Sequence, residues 1–227
     1  MALRPKQEPR ASPLLLRFVI WVPAFAGMSG VGDLPSRPSD SVKRATDIAV
    51  SGAALVVLAI PLLVVAGLVR GTSRGPAIHW SKRVGRGNAL FAMPKFRTMR
   101  IDTPQVATHL MSDPGRWLTP IGGVLRKTSL DELPQLVSVL KGDMSLVGPR
   151  PALFNQDDLV ALRTQAGVEA LRPGLTGWAQ VNGRDELPIP VKVKLDAEYL
   201  QRRSFGFDLK ILWLTAAGVL ASKGVSH

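Results

Sequence analysis

The 227-residue chain contains no cysteine, so disulfides, thiolate metal sites and thiol catalysis are excluded. This composition fits a protein that faces the cytosol. Acidic residues are also scarce, since 17 of them stand against 29 lysines and arginines and leave a formal net charge of +12. Such an excess attracts polyanions, which include nucleic acid, anionic membrane surfaces and phosphorylated substrates. Charge alone does not choose among these partners.

The chain also lacks the short signatures of several enzyme classes. It has no P-loop, no protein-kinase signature and no glycine fingerprint of a dinucleotide-binding fold. Its length suits one domain with a proper core, with room for an appendage.

The first forty residues are interpreted as an extension of the folded unit. The apolar segment 13–27 has features of a signal peptide with a cleavage site after Ala26, but Arg17 interrupts it and favours a plain extension. Residues 30–40 are rich in Gly, Pro and Ser and are typical of a linker. We therefore expect residues 1–40 to be poorly ordered and the folded unit to begin near Ser41.

One long apolar run could meet a membrane. Ile48 to Val69 comprises 22 residues without a charge, which is long enough for a spanning helix. Lys43 and Arg44 precede the run and basic residues also follow it, whereas an ordinary span concentrates positive charge on its cytoplasmic side. Positive charge at both ends favours a segment whose two ends stay on the same side.

Pro61 lies almost at the middle of this run. It removes one backbone donor and clashes with the carbonyl one turn earlier, so it can break the helix into a re-entrant hairpin. Prolines are also tolerated as simple bends in spanning helices. The residues alone leave both alternatives open.

The rest of the chain is predicted to alternate short elements and loops. A block without acidic residues, between Asp47 and Asp102, is expected to lie against anionic headgroups, the alternative being a solvated basic loop. Within it, KRVGRGNALFAMPKFRTM predicts a turn between two extended pieces. SLVGPRPA and RPGLTGWAQVNGR are interpreted as loops, and a last helix is predicted from an N-cap at Asp208 to Lys223.

Two adjacent carboxylates, Asp131 and Glu132, stand out in this basic chain. Ser129 and Glu132 have the spacing of a capping box, but Pro134 would then fall inside the helix. A helix that starts with Asp131 as its N-cap and ends near Leu140 avoids that loss. An aspartate at this position is stabilised by the helix dipole and should stay ionised at neutral pH.

The surroundings of the pair indicate phosphate chemistry. Arg126, Lys127 and Arg150 flank it, and cations of this kind grip phosphate oxygens. Magnesium binds one or two carboxylates together with substrate phosphates. Adjacent residues do not share a helix face, so the two carboxylates should have different roles.

Four long motifs in this region carry a resemblance to a known family: KFRTM, RKTSLDELPQL, LKGDMSLVGPRP and RPGLTGWAQVNGR. Together they resemble the bacterial sugar transferase family, the small monotopic phosphoglycosyl transferases, over about residues 41–227. The resemblance implies transfer of a phosphosugar from a nucleoside diphosphate sugar, usually a UDP-sugar, to a polyprenyl phosphate such as undecaprenyl phosphate. The nucleotide product would be UMP.

The resemblance also implies roles for individual residues. Asp131 would be the nucleophile of a ping-pong reaction through an aspartyl phosphosugar intermediate, and Glu132 would position Mg²⁺ or assist the lipid phosphate. Both carboxylates are the candidate Mg²⁺ ligands. Gln180 and Asn182 would read the base or the sugar. The candidate phosphate-binding residues are Lys95, Arg97, Arg126, Arg150 and Arg172.

The implied fold is α+β and mostly helical. A re-entrant membrane helix at residues 41–74, with Lys43, Arg44 and Pro61 as its membrane residues, would precede a catalytic domain at 75–227 with short β elements and amphipathic helices at the membrane interface. The chain would face the cytoplasm at the bacterial inner membrane, with membrane lipids as partners, no nucleic acid, and assembly as a homo-oligomer left open.

The sequence departs from the family pattern at several places, two of which concern the membrane break and the region after Arg184. The break normally has a serine before its proline, whereas Ile60 precedes Pro61 here. After Gly183-Arg184 the usual aromatic stretch becomes DELPIPVK, although Lys192, Asp196 and Tyr199 keep the family's spacing, and we expect this region to contact the sugar.

One alternative from another class also explains the charge. A basic membrane-tethered nucleic-acid-binding protein would have the same composition, but it would leave the acidic pair without a role, and no recognition helix or RNA-stacking signature is present.

Overall fold

The structure is a computed structural model that describes residues 38–103, 113–183 and 187–220. Most of the predicted extension, residues 1–37, lies outside the described residues, as does the predicted helix end at Lys223. In the described part of the chain the helices are α1 (Pro38–Val57), α2 (Ala59–Thr72), α3 (Gly122–Lys127), α4 (Leu136–Lys141), α5 (Asp157–Gln165), α6 (Trp178–Val181), α7 (Ile189–Arg202) and α8 (Phe205–Leu220). The strands are β1 (Ile78–Val84), β2 (Leu90–Phe96), β3 (Ser145–Val147) and β4 (Gly174–Thr176). The predicted fold class, mixed α and β but mostly helical with short strands, is confirmed.

The apolar run forms two helices with a sharp break between them. Helices α1 and α2 meet at Leu58 with a bend of 63°. Pro61 lies in the first turn of α2 and offers no N–H to the carbonyl of Val57, so the α-helical ladder is interrupted where the bend occurs. The break therefore forms with Ile60, and not serine, before the proline. In the described residues no single helix is long and apolar enough to cross a bilayer, but this bent pair meets the length and composition required.

Strands β1 and β2 form an antiparallel hairpin, as the sequence predicts. Their register pairs His79 with Lys95 and Val84 with Leu90. The connection is a short 3₁₀ turn in which Gly87 and Asn88 both adopt a φ of 61°, a left-handed conformation that glycine and asparagine tolerate best. The hairpin places one row of alternating side chains toward the acidic pair.

The segments interpreted as loops contain a second, parallel strand pair. Strand β3 runs beside β4, with Ser145 opposite Gly174 and Val147 opposite Thr176. The two backbones approach so closely that a Cβ on Gly174 would lie 2.1 Å from the amide nitrogen of Gly148. The loop prediction was wrong here because pairing across about thirty residues fixes these short segments, and local sequence does not report such pairing.

Within the described part of the chain, three apolar clusters hold the elements together. The largest joins α4, β3, α7 and α8 and includes the fully buried Val139, Met144 and Ile211. A second, centred on Val69 and Phe96, packs α2 against β2. A third lies between α5 and α7 around Leu159 and Val193. The acidic pair is therefore supported by elements that are packed on several sides.

The last helix begins earlier than predicted. It starts at Phe205, so Asp208 lies in its first turn and is not its N-cap. The Asp208 carboxylate is buried and accepts hydrogen bonds from Tyr199 at 2.7 Å and from Lys43 at 2.6 Å. Tertiary partners therefore use the carboxylate that the sequence assigned to capping.

Candidate active site

The acidic pair lies on a 3₁₀ helix, Leu130–Gln135, and not at the start of an α-helix. Neither the capping box nor the Asp131 cap is formed, because Ser129 precedes the 3₁₀ helix in a left-handed conformation with φ 57° and makes no side-chain capping bond. Pro134 lies inside this 3₁₀ helix, and α4 begins at Leu136. The predicted helix end is confirmed, since Gly142 adopts a left-handed φ of 94° after Lys141.

Glu132 is held by two cations. Its Oε1 accepts a hydrogen bond from Lys95 Nζ at 2.8 Å and another from Arg150 Nη2 at 3.0 Å. Burial would raise the pKa of Glu132, but the charges of Arg150 and Lys95 outweigh that effect and hold the pKa well below its usual range. Glu132 is therefore ionised and serves to orient two long cationic side chains.

The surroundings of the Asp131 carboxylate differ from those of Glu132. Asp131 is 8% exposed, and none of the hydrogen bonds within the described residues reaches its carboxylate. Burial raises the pKa of Asp131, the charge of Lys95 lowers it and that of Glu132 raises it, and together with the nearby arginines these effects bring it to about 6. The pKa is therefore raised and not lowered, although about nine-tenths of the Asp131 carboxyl groups remain ionised at pH 7.

Arg126 also interacts electrostatically with Asp131. Its Nε donates to Thr98 Oγ1 at 3.0 Å, and burial lowers the pKa of its guanidinium while Asp131 raises it. Together with Lys95 and Arg150, this residue surrounds Asp131 with positive charge. Three of the five predicted phosphate-binding residues therefore meet at the pair of carboxylates.

The other two predicted phosphate-binding residues have different surroundings. Arg97 is 5% exposed and donates to the carbonyls of Ser73 and Arg74 and to the Ser73 hydroxyl, just after α2. Arg172 is exposed as a whole, but partial desolvation of its guanidinium lowers its pKa, as do the nearby charges of Arg86 and Arg44. The structure does not bring either guanidinium into hydrogen-bond contact with the carboxylates.

Gln180 and Asn182 lie at α6, and their side-chain amides donate to main-chain carbonyls of residues that precede them in the chain. Gln180 Nε2 donates to the carbonyl of Leu175 at 3.2 Å, and Asn182 Nδ2 donates to that of Trp178 at 2.7 Å. The Oε1 atom of Gln180 is buried without a hydrogen-bond partner in the described residues. Their predicted role in reading base or sugar stays a prediction.

The predicted membrane residues also have partners within the chain. Lys43 pairs with Asp208. Arg44 donates from Nη1 to the carbonyl of Val139 at 2.6 Å and from Nη2 to that of Leu140 at 2.7 Å. Arg44 thus caps the last turn of α4 from the first helix.

Several residues around the site were not predicted. His79 and Arg83 lie on the same face of β1, and His79 is paired with Lys95 of β2. Partial burial lowers the pKa of His79, and the charges of Arg83 and Lys95 lower it further. Arg83 Nη1 donates to the carbonyl of Pro151 at 3.2 Å. The two-residue spacing of a strand could have revealed this shared face, since residues at i, i+2 and i+4 point the same way.

Asp196 and Tyr199 are interior residues. They are 1% and 3% exposed, and Asp196 binds Arg163. The expectation that this region contacts the sugar stays a prediction, and these two side chains lie inside the fold, Asp196 against Arg163 of α5 and Tyr199 against Phe207 of α8.

The donor set around the pair fits a metal only in part. In the described residues no group of three or more His, Cys, Asp or Glu side chains could hold an ion. Asp131 and the second oxygen of Glu132 could supply one or two carboxylate ligands. Magnesium commonly binds in that way, with phosphates and water completing the shell.

Comparison with known proteins then identifies the chain's family. The sequence profile described as "Bacterial sugar transferase" matches residues 38–222, which include the bent helix pair α1–α2, the acidic pair and α8. The chain belongs to the bacterial sugar transferase family. The resemblance of the motifs is thereby confirmed.

Three curated relatives show how far this sugar transferase is similar to known proteins. It is 41% identical over 186 residues to the uncharacterized sugar transferase EpsL of Bacillus subtilis (strain 168), covering 82% of this chain and 91% of that protein. It is 41% identical over 201 residues to the UDP-glucose:undecaprenyl-phosphate glucose-1-phosphate transferase of Caulobacter vibrioides, covering 84% and 74%. It is 37% identical over 207 residues to the undecaprenyl-phosphate galactose phosphotransferase of Salmonella typhimurium, covering 85% of this chain but 43% of that longer protein.

Proposed function

We propose that this sugar transferase moves a sugar 1-phosphate from a UDP-sugar to undecaprenyl phosphate and releases UMP, the first membrane step of a glycoconjugate or exopolysaccharide pathway. The names of the Caulobacter and Salmonella relatives support the substrate classes. The observation that carries the proposal is the contrast at the acidic pair. Asp131 is buried without a hydrogen bond in the described residues, beside a glutamate fixed by two cations.

In the first step, the Asp131 carboxylate attacks the β-phosphorus of the UDP-sugar. A new bond forms between Oδ and phosphorus while the bond from phosphorus to the bridging oxygen breaks, so UMP leaves and an aspartyl phosphosugar remains. An ionised carboxylate needs no base for this attack. Its raised pKa reflects weak solvation, which favours nucleophilicity.

The cations around the pair stabilise charge on the phosphorus. Lys95 and Arg150 are oriented by Glu132, and Arg126 lies beside Asp131. Preoriented donors of this kind lower the barrier because they need no reorganisation as charge develops. Glu132 is thus a partner that holds the donors, and Asp131 is the group that reacts.

In the second step, an oxygen of the lipid phosphate attacks the phosphorus of the intermediate. The bond to Asp131 breaks, the carboxylate is regenerated, and undecaprenyl diphosphate sugar leaves. The reaction is therefore ping-pong, with UMP released before the lipid product.

Mg²⁺ is proposed as the cofactor. Asp131 and Glu132 would hold it together with diphosphate oxygens, and it would supply neutralisation of the phosphate charge. The acidic pair alone gives too few ligands for a site independent of substrate.

We propose that the bent pair α1–α2 is a re-entrant hairpin in the cytoplasmic membrane, with the catalytic part on the cytoplasmic face. Large apolar side chains are exposed on both sides of the bend, and the most exposed are Val56, Val57, Ile60 and Leu63. Since the chain has no native cysteine, Val42→Cys and Thr72→Cys can each be labelled without background. Modification of both from the cytoplasmic side is expected, and labelling from opposite sides would establish a span.

The activity is tested by UMP release from purified protein with undecaprenyl phosphate, Mg²⁺ and a panel of UDP-sugars. We expect one or a few donors to give UMP in stoichiometric amounts without the lipid and in multiple turnovers with it. Stoichiometric release is the signature of a covalent intermediate. Absence of UMP with every donor, together with salt-sensitive nucleic-acid binding, would favour the tethered nucleic-acid-binding protein instead.

A further inference from the structure

Arg150 extends to Glu132 from the loop at residues 148–152. Main-chain carbonyls of this loop accept hydrogen bonds from α5 and from β1. The side chain of Arg150 is 36% exposed, so its own packing does little to fix it. Its carbonyl oxygen accepts a hydrogen bond from Arg163 Nη1 at 2.8 Å. Arg163 is on α5 and stands thirteen residues away in the sequence.

The Arg163 guanidinium is itself fixed by a buried carboxylate. Its Nε and Nη2 donate to Asp196 Oδ2 at 3.0 and 2.7 Å, and the Asp196 side chain is 2% exposed. One planar group thus bridges α7 and the Arg150 loop. A lysine ammonium could keep the ion pair but could not reproduce this forked geometry.

Neighbouring carbonyls of the same loop are also bound. Arg83 donates to the Pro151 carbonyl at 3.2 Å, and the Val84 amide donates to the Ala152 carbonyl at 3.0 Å. Proline at 149 and at 151 further restricts the backbone on both sides of Arg150. Strand β1 therefore binds the loop at Pro151 and Ala152. Arg163 binds it at Arg150, the residue whose side chain contacts Glu132.

A contribution to folding stability does not by itself explain why the ion pair of Arg163 and Asp196 is buried. Taking two charges out of water is costly, and well-packed apolar replacements of buried ion pairs are often neutral or stabilising. The pair has a specific geometric effect, however, because it sets the position of the main chain from which Arg150 extends.

We propose that Arg163 and Asp196 form a positioning pair that fixes the backbone at Arg150 and so holds its guanidinium against Glu132 during phosphosugar transfer. Neither residue contacts the reacting atoms. The inference rests on the proposed function for its kinetic consequence, while its geometric part stands independently.

The test compares Arg163→Lys with a double apolar variant, Arg163→Met with Asp196→Leu, which leaves no buried charge unpaired. We expect both to lower kcat for UMP release about tenfold with KM changed less than threefold, since a displaced donor loses contact made in the transition state. The exposed pair Arg100–Asp102 supplies the control, and Arg100→Gln should keep the wild-type rate.

A thermodynamic cycle separates positioning from general structural damage. In an Arg150→Gln background, Arg163→Lys should cost less than twofold, because the side chain through which it acts is already absent. An equal loss in both backgrounds, or full activity of Arg163→Lys in the wild-type background, would overturn the positioning role.

Hydrogen exchange gives a readout that does not depend on activity. The amides of Gly148, Arg150 and Ala152 should exchange at least fivefold faster in both Arg163 variants than in the wild type or in Arg100→Gln; Pro149 and Pro151 carry no amide hydrogen. Unchanged exchange would reject the pair even if the enzyme is active. A wild-type protein that releases no UMP but shows the exchange difference would instead reject the proposed function and keep the positioning pair.

Discussion

Two groups of cations in this molecule look alike in the sequence but have different partners. Lys95 and Arg150 meet the carboxylate of Glu132 beside the buried Asp131. Arg44 and Arg97, at the two ends of the helical hairpin, donate instead to main-chain carbonyls. The first group concentrates charge at the carboxylate that we propose as the nucleophile, whereas the second joins the helical hairpin α1–α2 to the rest of the chain. Substitutions in the first group should therefore lower the rate of catalysis, and substitutions in the second should lower stability.

The largest effect is expected at Asp131. Asp131→Asn should reduce UMP release by roughly 10³-fold or more, because the amide cannot form the covalent intermediate. Folding should not suffer. The raised pKa of Asp131, about 6 against 3.8, means that ionising it costs the folded state about 3 kcal/mol.

The stability of the same variant is a check with a defined sign. Because the folded pKa lies above the unfolded one, the contribution of Asp131 to stability is fully present below about pH 4 and is lost as the pH rises through about 6. Melting curves of the wild type should lose stability over this window relative to Asp131→Asn. Parallel pH profiles for the two proteins would contradict the buried, unpartnered carboxylate.

The next largest effect is expected in the second group. Arg97→Leu should lower the free energy of unfolding by about 3 kcal/mol, because it removes the hydrogen bonds from this buried side chain to the carbonyls of Ser73 and Arg74 and to the Ser73 hydroxyl. Thermal denaturation in detergent measures the change, with Arg100→Gln as an exposed control. If Arg97→Leu melted like the wild type but lost activity, Arg97 would belong with the catalytic cations.

Lys95 provides the matching substitution in the first group. Lys95→Met should slow UMP release by about 10²-fold, a typical effect of removing one preoriented donor, while Arg150 continues to pair with Glu132. The melting temperature should stay close to that of the wild type. A large drop in melting temperature with unchanged catalysis per folded molecule would contradict the division between the groups.

The smallest effect is a displacement of the pH profile. Values of kcat/KM should rise about tenfold per pH unit up to about pH 6 and then level off, as Asp131 ionises. Lys95→Met should move this limb to higher pH because the lysine lowers the pKa of Asp131, and Glu132→Gln should move it to lower pH because the glutamate raises it. Shifts in the same direction for both variants would show that neither charge acts on Asp131.

The sequence predicts those parts of the structure that depend on neighbours along the chain. The turn between β1 and β2, the end of α4 at Gly142 and the break near Pro61 all follow from local backbone chemistry. The acidic pair and its cations could be predicted from their motifs, because the charge of each side chain follows directly from its residue type.

The remaining contacts are formed by tertiary structure. Arg44 and Arg97 bind carbonyl oxygens, and a carbonyl is the same in every residue, so no sequence pattern indicates which one a distant arginine will reach. Asp196 stands on a predictable helix face with Tyr199, but only the packing against α5 decides that this face is interior. The start of the helix after Asp131 was misplaced because a proline is compatible with both an α-helical first turn and a 3₁₀ turn.

The close contact between the two glycine-containing motifs limits how this enzyme can be recombined with its relatives. A Cβ at Gly148 would lie 2.4 Å from the carbonyl oxygen of Arg172, and one at Gly177 would lie 2.0 Å from that of Gly148. A substitution in one motif therefore requires a matching change in the other, although a helix and a turn separate them along the chain. Chimeras built to exchange sugar preference should place both crossover points outside residues 145–177, so that both motifs are always taken from a single parent.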